Sequence, residues 1–263
     1  MIVLNYGIGT NSTALAIEAW MRGIQIDIAV CADTGSERPE SYAYITIFDE
    51  WLRSHHGISL NVVRWIRRDG TFTPLHEDCE SKRTLPSKAF GLAGCTAKWK
   101  QQPVDKWLLF NYEVHSEHIH ERAVERWIGF DADEPERAER MLNKNPFPEL
   151  WRWRAPLVEW NMGRDECVES IKRAGLPLPG KSACWLCPSS RPREIIELGK
   201  AHPELLDRAL KIEAQAELGT VKGLGRSWSW KSVIENDRAQ LKLPIMAMDA
   251  CRIDTDCGCY DGD

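Results

Sequence analysis

Two features of this 263-residue chain predict an open α/β fold, a mostly parallel sheet with helices on both faces. A short apolar run, Ile2-Val3-Leu4-Asn5-Tyr6, passes through a glycine-bearing turn into the Ala/Leu-rich Thr13-Ala14-Leu15-Ala16-Ile17. Further short apolar runs then alternate with segments of helical period, the pattern of strand–helix–strand units. Toward the C-terminus the alternation gives way to helices, a Gly-rich turn over residues 219–225 and a cysteine-bearing tail, which predicts a small C-terminal helical subdomain. The expected division is a sheet domain over residues 1–176 and a cysteine-bearing subdomain over 177–263.

Composition narrows the class. Apolar residues make up 43%, enough to build a core. The net charge of -5 and pI of about 5.9 give no global basic signature for nucleic acid, although a local basic face remains compatible. No run of about 18 apolar residues exists, so no membrane span is expected. The N-terminus has neither the basic region nor the apolar core of a signal peptide, so a cytoplasmic location is expected. In a reducing compartment nine cysteines argue for metal or redox work rather than disulfides; Cys31 and Cys167 read as buried structural thiols.

In chain order, Ile2–Tyr6 is the first strand, and a helix begins at Thr13. Ile24–Cys31 reads as the second strand, with isoleucines alternating with Gln25 and Asp27 before the run turns fully apolar. Tyr42, Ile45, Phe48 and Leu52 have helical spacing over Ser41–Arg53. Leu60–Ile66 is a third strand. Residues 69–92 are rich in Gly, Thr, Pro, Lys and acids, and such a long irregular stretch reads as a lid; it contains Cys79, to which the sequence assigns no role. Val104–Asn111 is a helix, Trp127–Asp131 a strand, Glu134–Leu142 a helix, and Asn161–Gly175 a helix stopped by Gly175 and Pro177. Arg193–Lys200 and Pro203–Leu218 are further helices.

The turn Gly7-Ile8-Gly9-Thr10-Asn11-Ser12 carries the first chemistry. Glycines permit a sharp turn and close backbone approach. The opening turn of the following helix offers free N–H groups and a positive dipole end to an anion, and Ser12 and Thr13 add hydroxyls. The turn is neither a P-loop, since no Gly-Lys-Ser/Thr follows, nor a dinucleotide fingerprint, since Ser12 holds the third glycine position. Asp33-Thr34-Gly35 lies where a second parallel strand would end, the edge at which open α/β sheets bind ligands; taken alone, the same residues read first as an Asx turn with a helix cap at Ser36.

These stretches resemble known motifs. Gly7–Ser12 is similar to the Ser-Gly-Gly-x-Asp-Ser pyrophosphate loop of the adenine nucleotide alpha hydrolase superfamily, with Gly7 for the first serine, Ile8 for a glycine and Asn11 for the aspartate. Asp33-Thr34-Gly35-Ser36-Glu37-Arg38-Pro39-Glu40-Ser41-Tyr42 resembles the Asp-Thr-Gly-x-x-x-Pro-Glu-Thr-Tyr motif of the phosphoadenylylsulfate (PAPS) reductase-like family. Cys95-Thr96-Ala97-Lys98-Trp99-Lys100-Gln101-Gln102-Pro103 is similar to the Cys-Cys-x-x-Arg-Lys-x-x-Pro segment of the iron–sulfur sulfonucleotide reductases, with Thr96 for the second cysteine and Trp99 for the arginine. Ile128, Gly129, Glu134 and Arg137 fit the family's Ile-Gly-x-x-x-x-Glu-x-x-Arg; an ordinary i, i+3 ion pair is the alternative for the last two. The resemblance covers roughly residues 2–192 and reaches the enzymes of DNA phosphorothioation and tRNA thiolation.

The resemblance implies an adenine-nucleotide site of Asn5, Tyr6, Gly7, Gly9, Asn11, Ser12, Thr13, Asp33, Thr34 and Gly35, with ATP or PAPS as the nucleotide and Mg2+ accompanying ATP. It implies substrate contacts from Lys98, Lys100 and Arg137. Cys184-Trp185-Leu186-Cys187 can grip a metal or a cluster. With Cys95 it implies a 4Fe–4S cluster on three protein cysteines, one iron left open, and a tie between the sheet domain and the C-terminal subdomain. Zinc held by Cys184, Cys187, Cys257 and Cys259 is the competing metal site. The implied activity is sulfur transfer from a sulfur donor to an RNA or DNA acceptor. The alternative is a PAPS or adenylylsulfate reductase with a reductant and Cys257 as nucleophile, since Asp256-Cys257-Gly258-Cys259 partly echoes the reductase tail. A module that binds nucleotide or zinc without catalysis is the third reading. Two other features have ordinary explanations beside functional ones. His115, His118 and His120 suit a metal or a solvated helix face. Trp151, Trp153 and Trp160, with Arg152 and Arg154 interleaved, suit a single-stranded nucleic acid or an amphipathic strand packing its rings.

Overall fold

The computed structural model describes residues 1–111, 124–143 and 151–240. The histidine cluster at 115–120 and Cys257 and Cys259 lie outside the described residues. The chain divides into two compact units: Met1–Phe72 with Ala97–Ala183, and Thr73–Thr96 with Cys184–Asp263. The second unit is therefore discontinuous in sequence.

The first unit is an α/β sheet of five strands, β1 (Ile2–Asn5), β2 (Ile28–Asp33), β3 (Leu60–Arg64), β4 (Val124–Ile128) and β5 (Trp151–Arg154), in the order β3-β2-β1-β4-β5. Every neighbouring pair is parallel. Alternation along the strands feeds two cores. On one face Leu4, Ala29, Cys31, Leu60 and Trp127 pack with residues of helices Thr10–Met21, Pro39–His56 and Arg164–Arg173. On the other Val3, Ile28, Val30, Val63 and Trp151 pack with Val104 and Leu108 of helix Gln102–Asn111. Parallel strands need crossovers, and helices on both faces supply them.

β2 starts at Ile28, four residues later than its periodicity suggests. Asp27 instead accepts the Ile2 amide at 2.7 Å, and the Ile26 amide donates to His56 Nδ1 at 3.4 Å. Side chains thus satisfy backbone groups that a strand would have paired.

The second unit corrects the reading of residues 69–92 as a lid. Leu75–Ser81 is a helix and Ser87–Phe90 a 3₁₀ turn, with Leu75, Cys79, Leu85 and Ala89 buried. Glu80 holds Arg208 of helix Pro203–Gln215 bidentately, at 2.7 and 2.9 Å. From Thr73 on, the stretch is part of this unit's body, a partnership that its polar composition conceals. In the same unit Glu213, 5% exposed, accepts the amides of Leu224 (2.7 Å), Trp230 (2.9 Å) and Lys231 (3.0 Å). It thereby caps helix Trp230–Gln240 with a buried carboxylate.

Candidate functional site

The strand order reverses between β1 and β4, the crossover point at which open α/β sheets leave a crevice beyond their carboxyl ends. The β1 loop enters that crevice. Ile8 adopts a left-handed backbone, φ 58°, the conformation that the glycine of the resembling loop would take freely. Its side chain is 3% exposed and joins the core, so burial of roughly 1.5–3 kcal/mol offsets a backbone cost of about 1–2 kcal/mol. Gly9 then precedes helix Thr10–Met21.

Ser12 Oγ closes the loop. It accepts the amides of Gly7 (3.2 Å) and Gly9 (3.4 Å) and donates to the Gly9 carbonyl at 3.1 Å. Two amides thus converge on one oxygen at a helix N-terminus, as they would on a phosphate oxygen. Ser182 also reaches the loop, its hydroxyl donating to the Gly7 carbonyl. A Cβ on Gly9 would lie 3.1 Å from that of Ser182.

From the β4 side Gly129 completes the crevice. A Cβ there would lie 2.5 Å from the Ser12 nitrogen and 2.7 Å from its Cα, so only glycine lets the end of β4 meet the helix start. Asn11 is held between two charges: its Nδ2 donates to Asp131 at 2.7 Å, and its Oδ1 accepts from Arg164 at 2.7 Å. Asp131 is buried. Burial, with Glu134 and Asp133 nearby, raises its pKa above the usual carboxylate value. Asp133 in turn accepts the Arg164 amide at 2.7 Å. Sequence reading missed Asp131, Arg164 and Ser182. Ser182 stands 175 residues from Gly7, and no periodicity or spacing announces such a contact.

Several predicted nucleotide residues have side chains committed to the fold. Asn5 Oδ1 accepts from the buried Arg126 at 2.7 Å, whose guanidinium also pairs with Asp105 and lies over Trp153. Tyr6 stacks on Phe48 at 4.1 Å and meets Thr13 at 3.2 Å, and both residues are buried. Asp33, 1% exposed, accepts from the Gly35 amide (2.7 Å), Tyr42 (2.8 Å) and Arg64 (2.8 Å), which is the Asx turn. Thr34 accepts the Ser36 amide at 3.2 Å. What these positions offer a ligand is backbone rather than side chain.

Arg137 forms the i, i+3 pair with Glu134 at 2.7 Å. Lys100 lies 3.4 Å from the buried Glu37, and Lys98 sits over Trp65 and Trp99 at 4.2 and 4.7 Å. Trp151 and Trp153 are buried and Arg154 pairs with both Glu125 and Glu159, so this strand packs its rings and presents no stacking platform.

Cys31 and Cys167 are fully buried. Burial pushes the thiol of Cys167 up to about 12 and that of Cys31 higher still, which keeps both protonated and inert. Cys95, Cys184 and Cys187 all belong to the second unit, so their joint ligation would not tie it to the sheet. Cys184 and Cys187 share a tight turn, the Cys187 amide donating to the Cys184 carbonyl at 3.0 Å, and the Cys95 amide donates to Ser87 Oγ at 2.6 Å. Among the described residues no group of three or more His, Cys, Asp or Glu is placed to hold a metal ion. Nor is any helix among the described residues long and apolar enough to cross a membrane.

No known protein family and no curated protein matches the chain. Among solved structures it is similar to the U34-tRNA thiolase NcsA from Methanococcus maripaludis with its 4Fe–4S cluster, at 14% identity and a TM-score of 0.43, over 99% of this chain and 78% of that one.

Proposed function

We propose that this chain is an adenine-nucleotide-dependent sulfur-transfer enzyme of the PAPS reductase-like family. One observation carries the reading: at the crossover of a parallel sheet, two loop amides converge on Ser12 Oγ beneath a glycine that admits no side chain. In the proposed reaction an ATP phosphate oxygen takes the place of the Ser12 hydroxyl as acceptor of both amides. Ser12 Oγ then turns from acceptor to donor, and the helix N-terminus stabilises the charge. Arg164, held beside Asn11, adds a cation at the same end of the helix. The acceptor oxygen attacks the α-phosphorus and pyrophosphate leaves. A sulfur nucleophile from the donor then displaces AMP, so a poor leaving oxygen departs on a good leaving group. A nucleic acid is the proposed acceptor, and Mg2+ the proposed companion of ATP.

Cys95, Cys184 and Cys187 are the proposed ligands of a 4Fe–4S cluster, which would supply an open iron to hold sulfur. The adenylation chemistry does not depend on it. The test is nucleotide binding and product release. Wild-type protein should bind ATP and release pyrophosphate, and Gly9→Val should lose affinity as its side chain meets Ser182. Sulfite release from PAPS would select the reductase instead. Binding without turnover would select a module that has lost its chemistry. Unchanged binding in a folded Gly9→Val protein would remove the cradle.

A further inference from the structure

The carboxyl end of β3 bears a concentration of cations on a chain of net charge -5. Arg64, Arg67 and Arg68 follow it in the sequence, and contacts bring in Lys98 over Trp65 and Lys100 beside Glu37, against Asp33, Glu37 and Asp69. Two of those three acids are buried and engaged, Asp33 with Arg64 and Glu37 with Lys100, so the excess positive charge falls on Arg67, Arg68 and Lys98 against Asp69. The Arg64 side chain remains half exposed and lies over Phe72 at 4.8 Å.

The segment is a built turn. Ile66 and Phe72 form an antiparallel bridge, the Arg67 amide donates to the Thr71 carbonyl at 2.9 Å, and Gly70 supplies the left-handed position, φ 82°. This turn carries Arg67 and Arg68 into solvent, both exposed, with Asp69 close enough to Arg67 to feel its charge. On the other side of the strand Trp65 anchors Lys98. Its ring meets Trp99 at 5.1 Å and carries the Lys98 ammonium, while its indole N–H donates to Gln102 at 2.9 Å.

The position matters as much as the charge. β3 ends on the same edge of the sheet as the β1 loop, two strands away, which is about 10 Å at the usual spacing of strands. A fold has no need of cations in this density on an exposed turn, where each adds self-repulsion. A polymer of regularly spaced negative charge would neutralise several at once and release its counterions.

We infer that the end of β3, with Arg67 and Arg68 at its tip and Arg64 and Lys98 at its sides, is the surface that holds a single-stranded nucleic acid acceptor beside the nucleotide cradle. The inference rests on the sulfur-transfer reading for the word acceptor, but its binding test does not. The probes are fluorescent 20-nucleotide oligouridylate and oligothymidylate, titrated against the full chain at several salt concentrations, with ATP binding measured on the same samples. Wild type should bind at least one probe with a steep salt dependence. Arg67→Ala/Arg68→Ala should bind about tenfold more weakly, and the slope of log affinity against log salt should shrink by about 1.4, the value for two lost phosphate contacts on a single strand. Its ATP affinity should be unchanged, since neither residue touches the cradle. Wild type that binds neither probe, or a double variant with unaltered affinity and slope, would overturn the surface. Those results would leave the sulfur-transfer reading standing if ATP is still bound and turned over. Absent ATP binding with intact, arginine-dependent probe binding would do the reverse.

Discussion

Asn11 Oδ1 accepts a hydrogen bond from the Arg164 guanidinium at 2.7 Å, while the same amide donates to the buried Asp131. A neutral side chain able to donate and accept at once therefore mediates between a cation and an anion at the mouth of the crevice. An aspartate there, as in the resembling loop, would accept from Arg164 but turn an oxygen toward Asp131. Two carboxylates so placed share a proton or recruit a cation. Asn11→Asp should accordingly lose stability relative to wild type as pH rises from 5 to 8, with Mg2+ recovering part of the loss. Thermal melts at both pH values, with and without Mg2+, test this.

Asp131 itself gives a pH prediction whose sign can be worked out. Its folded pKa is raised, by burial first and then by Glu134 and Asp133. The folded state therefore binds the proton more tightly than the unfolded chain. That contribution is fully present below the unfolded carboxyl value and is lost as pH rises through the folded one. Asp131→Asn keeps an acceptor for Asn11 but has no charge to desolvate. The urea midpoint of wild type should fall, relative to that of Asp131→Asn, between about pH 4 and the raised folded value, and run parallel above it. Parallel curves throughout would show that Asp131 does not titrate in this window.

Gly129→Ala should be severe for one methyl group, because its Cβ would meet backbone atoms of Ser12 and not a yielding side chain. Overpacking of this kind costs about 1–3 kcal/mol and pushes the helix start away from the crevice, so ATP affinity should fall together with the denaturation midpoint. Gly180→Ala, whose added Cβ would meet only Glu40 at an ordinary 3.6 Å, is the control and should change neither.

Ile8→Gly separates conformation from packing. Glycine relieves the left-handed backbone but empties a buried site. Truncation of a buried isoleucine costs about 2–5 kcal/mol and the backbone relief returns about 1–2, so a net loss of about 2 kcal/mol is expected. Nucleotide affinity should hold, because the loop path is the one glycine prefers. Denaturation and ATP titration on one preparation distinguish the two effects.

Protein purified without oxygen should be brown, and Cys95→Ser, Cys184→Ser and Cys187→Ser should each lose iron and colour, a hydroxyl being a far poorer ligand than a thiolate for this iron. Cys167→Ser and Cys257→Ser should keep both. Stoichiometric zinc without iron, lost on changing Cys257 or Cys259, would replace the cluster with a zinc site.

The sheet was legible because its strands obey the period-2 and apolar-run patterns that parallel strands require, and because Gly7 and Gly9 mark the turn between strand and helix. The site was legible only in part. Motif spacing locates the loop and Gly129, since both depend on backbone geometry that few residues satisfy. It says nothing of where a side chain points: Asn5, Tyr6 and Asp33 lie at the expected edge, yet their polar atoms face Arg126, Thr13 and Arg64. Arg164 and Ser182 carry no local signal, because their partners are set by the packing of distant segments. The reading of residues 69–92 as a lid failed for the same reason. Its polar composition describes its own surface and not the buried Leu75 and Leu85.

The interrupted second unit has a consequence for synthesis. Thr73–Thr96 emerges from the ribosome long before Cys184, the first residue of the remainder of that unit. At about 5–20 residues per second, the intervening 87 residues, 97–183, take roughly 4–17 s to make. During that interval Leu75 and Leu85 have no core to enter and Glu80 has no Arg208. The nascent chain therefore carries an exposed apolar segment while the sheet is being completed. A release before Pro203 would leave Glu80 without Arg208 and helix Leu75–Ser81 without helix Pro203–Gln215, on which it packs.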